Sequence, residues 1–450
     1  MGPIDPNADQ AVPWSPARSV AAYAQRFHAA LGRRHAAASP LGAYLLLAAM
    51  GPAISGHERV ELERILGGTV EQANRWLDEL LRSPHPAIAA AFAVWHHRAV
   101  ENEYISGWLR SLPKGLDRGA IPDQSAADAW AREATRGAID RFPVEINPLT
   151  RLLLASALAT SVTWEDPFTL APSGELGNAS WAQQVKHVLC RHVIGHRAIA
   201  RTESAGLVAA ELSFSTKGLL VTSVIAESQV EPDAVMAAAH EVAALASNQP
   251  SSASFVSLFD LPLGRGHAWE LTEHPFMSEV KDMNLESARV LIPAWTVELS
   301  TIDLSSERSW GIQAATDALM KLYSPIDVGY TAQAKQAVRA EFNRHGFSAS
   351  AVSVVMVDGA AGGWSRRPDT WPSRRRHAET RFARPFAVVA IAQKPHGHES
   401  LSHWSGIPVF SAWVTTPVEA EAGGEYEPYA SPGHQRPGLL RRLISRLGRH

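Results

Sequence analysis

The first third of the chain has apolar residues at a helical spacing. Between residues 15 and 141 they recur every three or four positions, as at Ala21, Tyr23, Phe27, Ala30 and Leu31. This period is typical of amphipathic helices, so we predict a helical region there. The apolar run at residues 152–162 ends in β-branched residues and predicts neither helix nor strand by itself.

The second half of the chain has mostly strand patterns. Residues 207–224 alternate around Lys217 and Gly218, which predicts a hairpin, and residues 231–247 predict a helix with Asp233 in its first turn. Further strands are predicted at residues 290–299, 332–357, 386–393 and 409–414, with a helix at 310–323. Helices first and strands clustered later predict an α+β fold.

Composition narrows the functional class. Among 450 residues, 46% are hydrophobic and 19% charged, with a net charge of -3, so we expect a globular protein that does not bind nucleic acid. The single cysteine, Cys190, excludes an intramolecular disulfide and fits a reducing compartment. No signal peptide or membrane span is recognised. We therefore expect a cytoplasmic protein, with secretion by another route as the alternative.

Candidate catalytic and metal-binding groups lack a completing partner. His187, Cys190, His192 and His196 lie along a predicted strand and lack a second paired cluster, so we expect surface or partly buried side chains there and not a metal site. A second group, in a predicted loop, is His396, His398 and His403. No nucleophile elbow or phosphate-binding loop occurs. We expect a protein that is not an enzyme and that needs no metal or cofactor.

The most informative stretch follows the last long predicted strand of the central region. Residues 341–355 pass through Gly346 into a run of Ala, Ser and Val without charge, and a Gly-, Pro- and Arg-rich loop is predicted at residues 358–379. Residues this small and uncharged can enter a sheet without burying an unpaired charge. The segment therefore predicts a loop that can become a strand.

This stretch resembles the reactive-loop hinge of the serpins, the serine protease inhibitors. Other segments resemble the family in the same order along residues 15–417. They are Ser39 to Leu41, Trp130 with Thr135, Gly137 and Ile139, Trp164 to Phe168, Val290 to Trp295, Arg381 to Phe386, and Val409 to Val414. The chain is identified as a divergent, bacterial member of the family.

The resemblance implies a single domain with N-terminal helices on a large, mostly antiparallel, five-stranded central sheet. Smaller sheets and an exposed reactive loop, at about residues 341–380, complete it. The implied hinge is Gly346, Phe347, Ser348, Ala349, Ser350, Ala351, Val352 and Ser353. The implied sheet-opening region is Ser39, Gly42, Ser156, Trp164 and Gln336. Gly42, Ser156 and Gln336 differ from the family's usual residues, and the Phe347 ring is expected to overpack the sheet on entry.

The resemblance also implies a mechanism, with two alternatives left open. A serine or cysteine protease would cleave the loop, which would then insert into the central sheet; a non-inhibitory binding or structural protein is the alternative. Counting forward from Gly346 places the scissile bond at Ala360–Ala361, whereas counting back from Phe382 places it at Arg374–Arg375. Trypsin-like proteases accept arginine at such a bond. The expected partner is thus a protease, and the expected state is a monomer.

Both termini are predicted to lie outside the domain. Residues 1–14 predict a disordered arm, 418–436 a linker, and 437–450 a basic tail. Leu440, Leu443, Ile444 and Leu447 share one helical face of that tail. Residues 439–449 could therefore dock on an anionic membrane or on a partner protein.

Overall fold

The computed structural model describes residues 14–97, 102–278, 284–323, 334–348, 371–394 and 399–420. Its helices and strands are numbered in chain order. The helices in these residues are α1 Pro16–Leu31, α2 Pro40–Met50, α3 Gly56–Leu66, α4 Val70–Arg82, α5 Glu103–Ser111, α6 Gln124–Ala134, α7 Pro232–Ala246 and α8 Ile312–Tyr323. The arm up to residue 13, the tail, and the loop from 349 to 370 lie outside the described residues. No helix in the described part is both long and apolar enough to cross a bilayer.

The central sheet has six strands in the described residues. In spatial order they are β14 Trp295–Asp303, β15 Lys335–Phe342, β16 Gly346–Ser348, β4 Leu152–Thr163, β2 Ile88–His96 and β3 Asp117–Ala120. All neighbours are antiparallel except β2 and β3. Five full strands were expected, and the short β16 is an additional one, between β15 and β4.

Two further sheets complete the α+β fold. One contains β1 Ala36–Ala38, β19 Ile407–Val414, β18 Phe386–Ala392, β9 Leu219–Ile225, β8 Gly206–Phe214, β7 Ile199–Thr202 and β10 Ser254–Phe255. The other contains β11 Gly264–Arg265, β12 Trp269–Ser278, β17 Trp371–Arg381, β13 Asn284–Ile292, β6 His187–Ile194 and β5 Thr169–Pro172.

Helix α2 lies in the middle of the core. Each of its residues is buried, because it contacts β4 on one side and β19 on the other. Ser39 caps its first turn, and Pro40 occupies a position where no amide hydrogen is needed. This placement brings the first turn of α2 to the inner face of the central sheet.

Several predictions of local structure are confirmed, and others are wrong. The hairpin is β8 and β9, and the helix at residues 231–247 is α7. The helical region at 15–141 also contains β1, β2 and β3, because nine register pairs with β4 hold the alanine-rich β2 in the sheet. The strand at 290–299 is two strands in different sheets, separated at Pro293, which has no amide hydrogen to donate.

The folded domain extends beyond the predicted boundary at residue 417. Val418 donates its amide hydrogen to the Ala294 carbonyl, and Ala420 is buried. The Glu419 carboxylate accepts hydrogen bonds from the Lys186 and His187 amides. The prediction of a linker from Val418 is therefore wrong for its first three residues.

Two buried histidines between α1, α7 and the seven-stranded sheet make folding sensitive to acid. Burial lowers the pKa of His240 to about 4, and burial together with the nearby His240 lowers the pKa of His28 to about 3. The unfolded chain, with histidine pKa values near 6.5, takes up protons first as the pH falls. Folding stability is therefore lost below about pH 6.5, until the folded-state pKa values are reached.

We predict that His240→Leu weakens this acid sensitivity. Each such histidine contributes a slope of about 1.4 kcal/mol per pH unit to the free energy of unfolding between its two pKa values. Urea unfolding at pH 7, 6 and 5 should give a smaller loss for the variant than for the wild type. Equal losses in the two proteins would contradict the prediction.

Candidate functional site: the junction between β4 and β15

The strands β4 and β15 are joined through β16 at one end. Gly346, Phe347 and Ser348 pair with Thr163, Val162 and Ser161 of β4, and Phe347 pairs with Phe342 of β15. Over the described residues, β4 has strand pairing only with β2 and β16. The first three residues of the predicted hinge therefore lie in the sheet, while Ala349, Ser350, Ala351, Val352 and Ser353 fall outside the described residues.

The turn between β15 and β16 is stabilised by the side chain of Asn343, which is part of the turn. The Asn343 side-chain oxygen accepts hydrogen bonds from the amides of His345 and Gly346, at 2.9 and 3.0 Å. An Asn that bonds the backbone two residues ahead stabilises a turn. The reversal that directs the chain from β15 back along the sheet is therefore built from local contacts.

The same turn is also bound to the end of β4. Trp164 donates from its amide to the His345 carbonyl and from its indole nitrogen to the Asn343 carbonyl, both at 3.0 Å. Arg344 and Phe168 exchange two more hydrogen bonds, of 3.0 and 3.1 Å. Trp164, predicted for the sheet-opening region, thus lies at the end of the junction that contains β16.

An aromatic cluster accommodates Phe347. Its side chain is 3% exposed, and its ring centroid is 6.2 Å from that of Trp295. Phe342 stacks on Trp295 at 6.1 Å and contacts Trp164 at 5.2 Å. The expectation that the Phe347 ring overpacks the sheet is wrong in this structure, because the rings around it leave room for it.

Gly346 is required by a close backbone approach. A Cβ atom at this position would lie 2.0 Å from the carbonyl oxygen of Val162, far closer than real contacts allow. Only a residue without a Cβ can therefore start β16 beside β4.

The other predicted sheet-opening residues lie close together further along the junction, on the side of the aromatic cluster away from the Asn343 turn. The Gln336 side chain, on β15, accepts from the Ser39 amide at 3.0 Å and donates to the Ser39 carbonyl at 2.8 Å. The Ser39 hydroxyl donates to the Val409 carbonyl at 2.9 Å. A Cβ at Gly42 would lie 3.1 Å from the Ser156 Oγ and 3.3 Å from the Gln336 Nε2. Ser156 and Gln336 therefore face the first turn of α2 from opposite sides of the junction.

A narrow cleft, open to solvent, lies between β4 and β15 and extends from Phe347 away from the Asn343 turn. Its lining includes Leu158 and Thr160 of β4, residues 338–341 of β15, among them the charged Arg339 and Glu341, and Phe410 of β19. Most of this lining is apolar. A small, uncharged segment fits such a cleft better than a charged one.

The predicted loop at residues 358–379 is too long at its C-terminal end. Trp371 already begins β17, which pairs with β12 on one side and β13 on the other. The alternative scissile bond, Arg374–Arg375, therefore lies inside a strand that is hydrogen-bonded on both edges, not in an exposed loop. The neighbouring Arg376 donates to the carbonyls of Leu258 and Leu261, which further fixes β17. Ala360 and Ala361 lie outside the described residues.

His187, Cys190 and His192 lie in β6, outside the central sheet, whereas His396 and His398 lie outside the described residues. Within the described residues, no group of three or more His, Cys, Asp or Glu side chains could hold a metal ion. Sequence reasoning missed Asn343 and Trp295. A signal for Asn343 existed, since Asn with a Gly three residues later, as in Asn343-Arg-His-Gly346, is typical of a turn.

Comparisons with known proteins agree with this architecture. The native structure of a thermophilic serpin, Tengpin, matches with a TM-score of 0.59 and 14% identity over 91% of this chain and 96% of that chain. Thyroxine-binding globulin in complex with thyroxine matches with a TM-score of 0.54 and 13% identity, over 90% and 99% of the two chains. Serpin48 of the insect Tenebrio molitor matches with a TM-score of 0.53 and 14% identity, over 89% and 97%.

No family model and no curated protein matches the chain. At identities this low, the similarity to solved structures concerns the fold alone. The chain has the serpin fold, as its sequence resemblance implied.

We predict that Gly346→Ala displaces the start of β16. The added methyl group cannot approach the Val162 carbonyl, so the amides of residues 346–348 should exchange faster with solvent. The free energy of unfolding should fall by about 1–3 kcal/mol. Gly119→Ala in β3 is the matched control, because its Cβ would meet nothing within 4 Å. Wild-type exchange and stability in Gly346→Ala would contradict this assignment.

Proposed function

We propose that this protein is a suicide inhibitor of a serine or cysteine protease. The observation that carries the proposal is the position of β16, which starts between β4 and β15 and is directed along the cleft between them. The next residues in the sequence, Ala349 to Val355, are small and uncharged. They are suited to extend β16 into that cleft.

The proposed reaction begins when a protease attacks a loop bond, for which we favour Ala360–Ala361. The peptide bond breaks, the new amino terminus leaves, and the protease nucleophile keeps the loop's carbonyl carbon in an acyl-enzyme. The freed hinge then extends β16 along β4 and β15. The attached protease is carried with it and distorted, so that water does not complete the hydrolysis.

The two ends of the loop support this order of events. On one side the turn at Asn343 and the aromatic cluster hold β16 in the sheet. On the other side β17 is paired along both edges. Full insertion of the uncut loop would require its far end to follow, whereas cleavage releases the hinge from β17.

The alternative is a non-inhibitory binding protein with the same fold. The similarity to thyroxine-binding globulin, whose structure contains thyroxine, favours this candidate. The two functions differ in their response to a protease. An inhibitor retains the protease in a complex, whereas a binding protein is only cleaved.

A panel of serine and cysteine proteases, analysed on denaturing gels, tests the proposal. We predict a covalent complex that survives SDS with at least one protease. Loop cleavage by every protease that acts, without any such complex, would contradict inhibition.

We further predict that Ala351→Glu converts the protein from inhibitor to substrate. Entry into the sheet would bury an unpaired carboxylate at a cost of several kcal/mol, so complex formation should fall at least about ten-fold. Cleavage of the loop should continue at the wild-type rate. Ala129→Glu, an exposed position in α6, is the control for added charge and should form the complex normally. Normal complex formation by Ala351→Glu would argue against insertion.

A further inference from the structure

One face of the sheet that contains β17 is open to solvent along β12, β17 and the end of β6. The opposite face is covered by residues 257–261, which donate hydrogen bonds to the Glu286 carboxylate. On the open face, His192 and His274 are exposed, and Ile194 is 92% exposed. An apolar side chain this exposed, between basic ones, marks the face as a candidate interaction surface.

Three histidines and an arginine from three strands share this face. They are His192, His274, His377 and Arg375. In the strand registers, His377 is opposite Ser287 on β13, and Arg375 is opposite His274 on β12. The His377 Nδ1 is 3.0 Å from the Ser287 Oγ. Residues two apart in a strand point to the same side, so Arg375 and His377 form the centre of one basic face.

Arg375 has no carboxylate partner among the described residues, unlike the neighbouring Arg381. The Arg381 guanidinium is 3.2 Å from the Glu270 carboxylate and 2.6 Å from the Glu379 carboxylate. The Arg375 guanidinium lies instead over the Phe276 ring, 5.2 Å from its centroid. A guanidinium on an aromatic ring keeps its hydrogen-bond donors available for a carboxylate from another molecule.

The charge of the basic face depends on pH through its histidines. Partial burial lowers the pKa of His377, against the opposing effect of the Glu379 carboxylate. The neighbouring His192, His274 and Arg289 lower the pKa of His377 further. The other charged side chains around the face are Arg265, Glu270, Arg375, Arg381 and, on the residues after β5, Glu175. An added carboxylate favours the protonated imidazole, so a ligand with carboxylates should bind more tightly as the pH falls.

The spacing of the cations selects an extended peptide with separated carboxylates. Arg375 and His377 are two residues apart in β17, which corresponds to about 6.6 Å along the strand. Alternate side chains of an extended peptide have the same separation. The carboxylates of Glu270 and Glu379, on the same face, repel a polyanion with continuous charge. Ile194, in the row of His377, offers an apolar contact beside the cations.

We propose that this basic face of β6, β12, β13 and β17 binds an extended acidic segment of a partner protein, with carboxylates at alternate positions. One carboxylate pairs with Arg375 and the next with protonated His377. An apolar residue of the segment packs on Ile194. The interaction uses only described residues outside the central sheet, and it does not rest on the proposed protease inhibition.

Binding of a fluorescent peptide of five Glu-Ala repeats to the full-length protein tests the proposal by fluorescence anisotropy. The peptide carboxylates, with pKa values near 4.3, are ionised at both pH 7.5 and pH 5.5. Binding should be about five-fold tighter at pH 5.5, the effect of about 1 kcal/mol from ion pairs with protonated histidine. A peptide of Gln-Ala repeats should not bind at either pH.

Matched variants assign the binding to the basic face. Arg375→Gln should weaken binding about five-fold at pH 5.5, whereas Arg201→Gln, at an exposed position of β7 in another sheet, should bind normally. The double variant His274→Gln/His377→Gln should lose most of the difference between the two pH values. His57→Gln, at an exposed position of α3, should retain that difference.

Equal affinity at both pH values, or wild-type binding by Arg375→Gln, would overturn the proposal. The other acidic occupant to distinguish is the chain itself, through Glu421, Glu425 and Glu427. Unchanged peptide binding after replacement of these three residues by Gln supports an external partner. Clearly tighter peptide binding in that variant would show that the chain's own carboxylates compete for the face, and would overturn the assignment to a partner protein.

Discussion

The weak junction between β4 and β15 determines how this molecule can behave. Backbone amides and carbonyls in a sheet need partners, and each strand edge without them can accept another strand. Among the described residues, β16 alone pairs with both β4 and β15, and it has three residues. The cleft below it is lined on both sides by residues of these two strands. The described part of the fold therefore contains an acceptor for one more strand at this junction.

Two kinds of interaction surround the junction and have different roles. At one end, the aromatic cluster and the Asn343 turn hold the start of β16, so the chain reversal that the proposed insertion needs has already been formed. A strand that grows from a formed turn avoids the entropic cost of closing a loop. Below it, the Gln336 amide connects β15 to α2 through Ser39. Movement of β15 away from β4 must either carry this contact along or break it.

Much of the fold could be predicted from the sequence, because many short motifs follow one another in the order typical of the family. The hinge glycine and the small residues after it indicated the segment that we propose inserts into the sheet. Local sequence patterns predicted secondary structure less reliably where pairing with a distant strand determines it. The alanine-rich β2 was predicted to be helical, but its pairing with β4 makes it a strand. The arginine-rich β17 was predicted to be a loop, but its pairing with β12 and β13 makes it a strand as well. The room for Phe347 depends on Trp295, Phe342 and Trp164, which are far apart in the sequence and could not be assembled from it.

Hydrogen exchange along β4 and β15, before and after cleavage of the loop, tests the central claim most directly. If the freed hinge becomes a strand between them, amides of both strands that border the cleft should exchange much more slowly in the cleaved protein. Amides in β18, in another sheet, should be unaffected and serve as the internal reference. Unchanged exchange in β4 and β15 after complete cleavage would contradict the account.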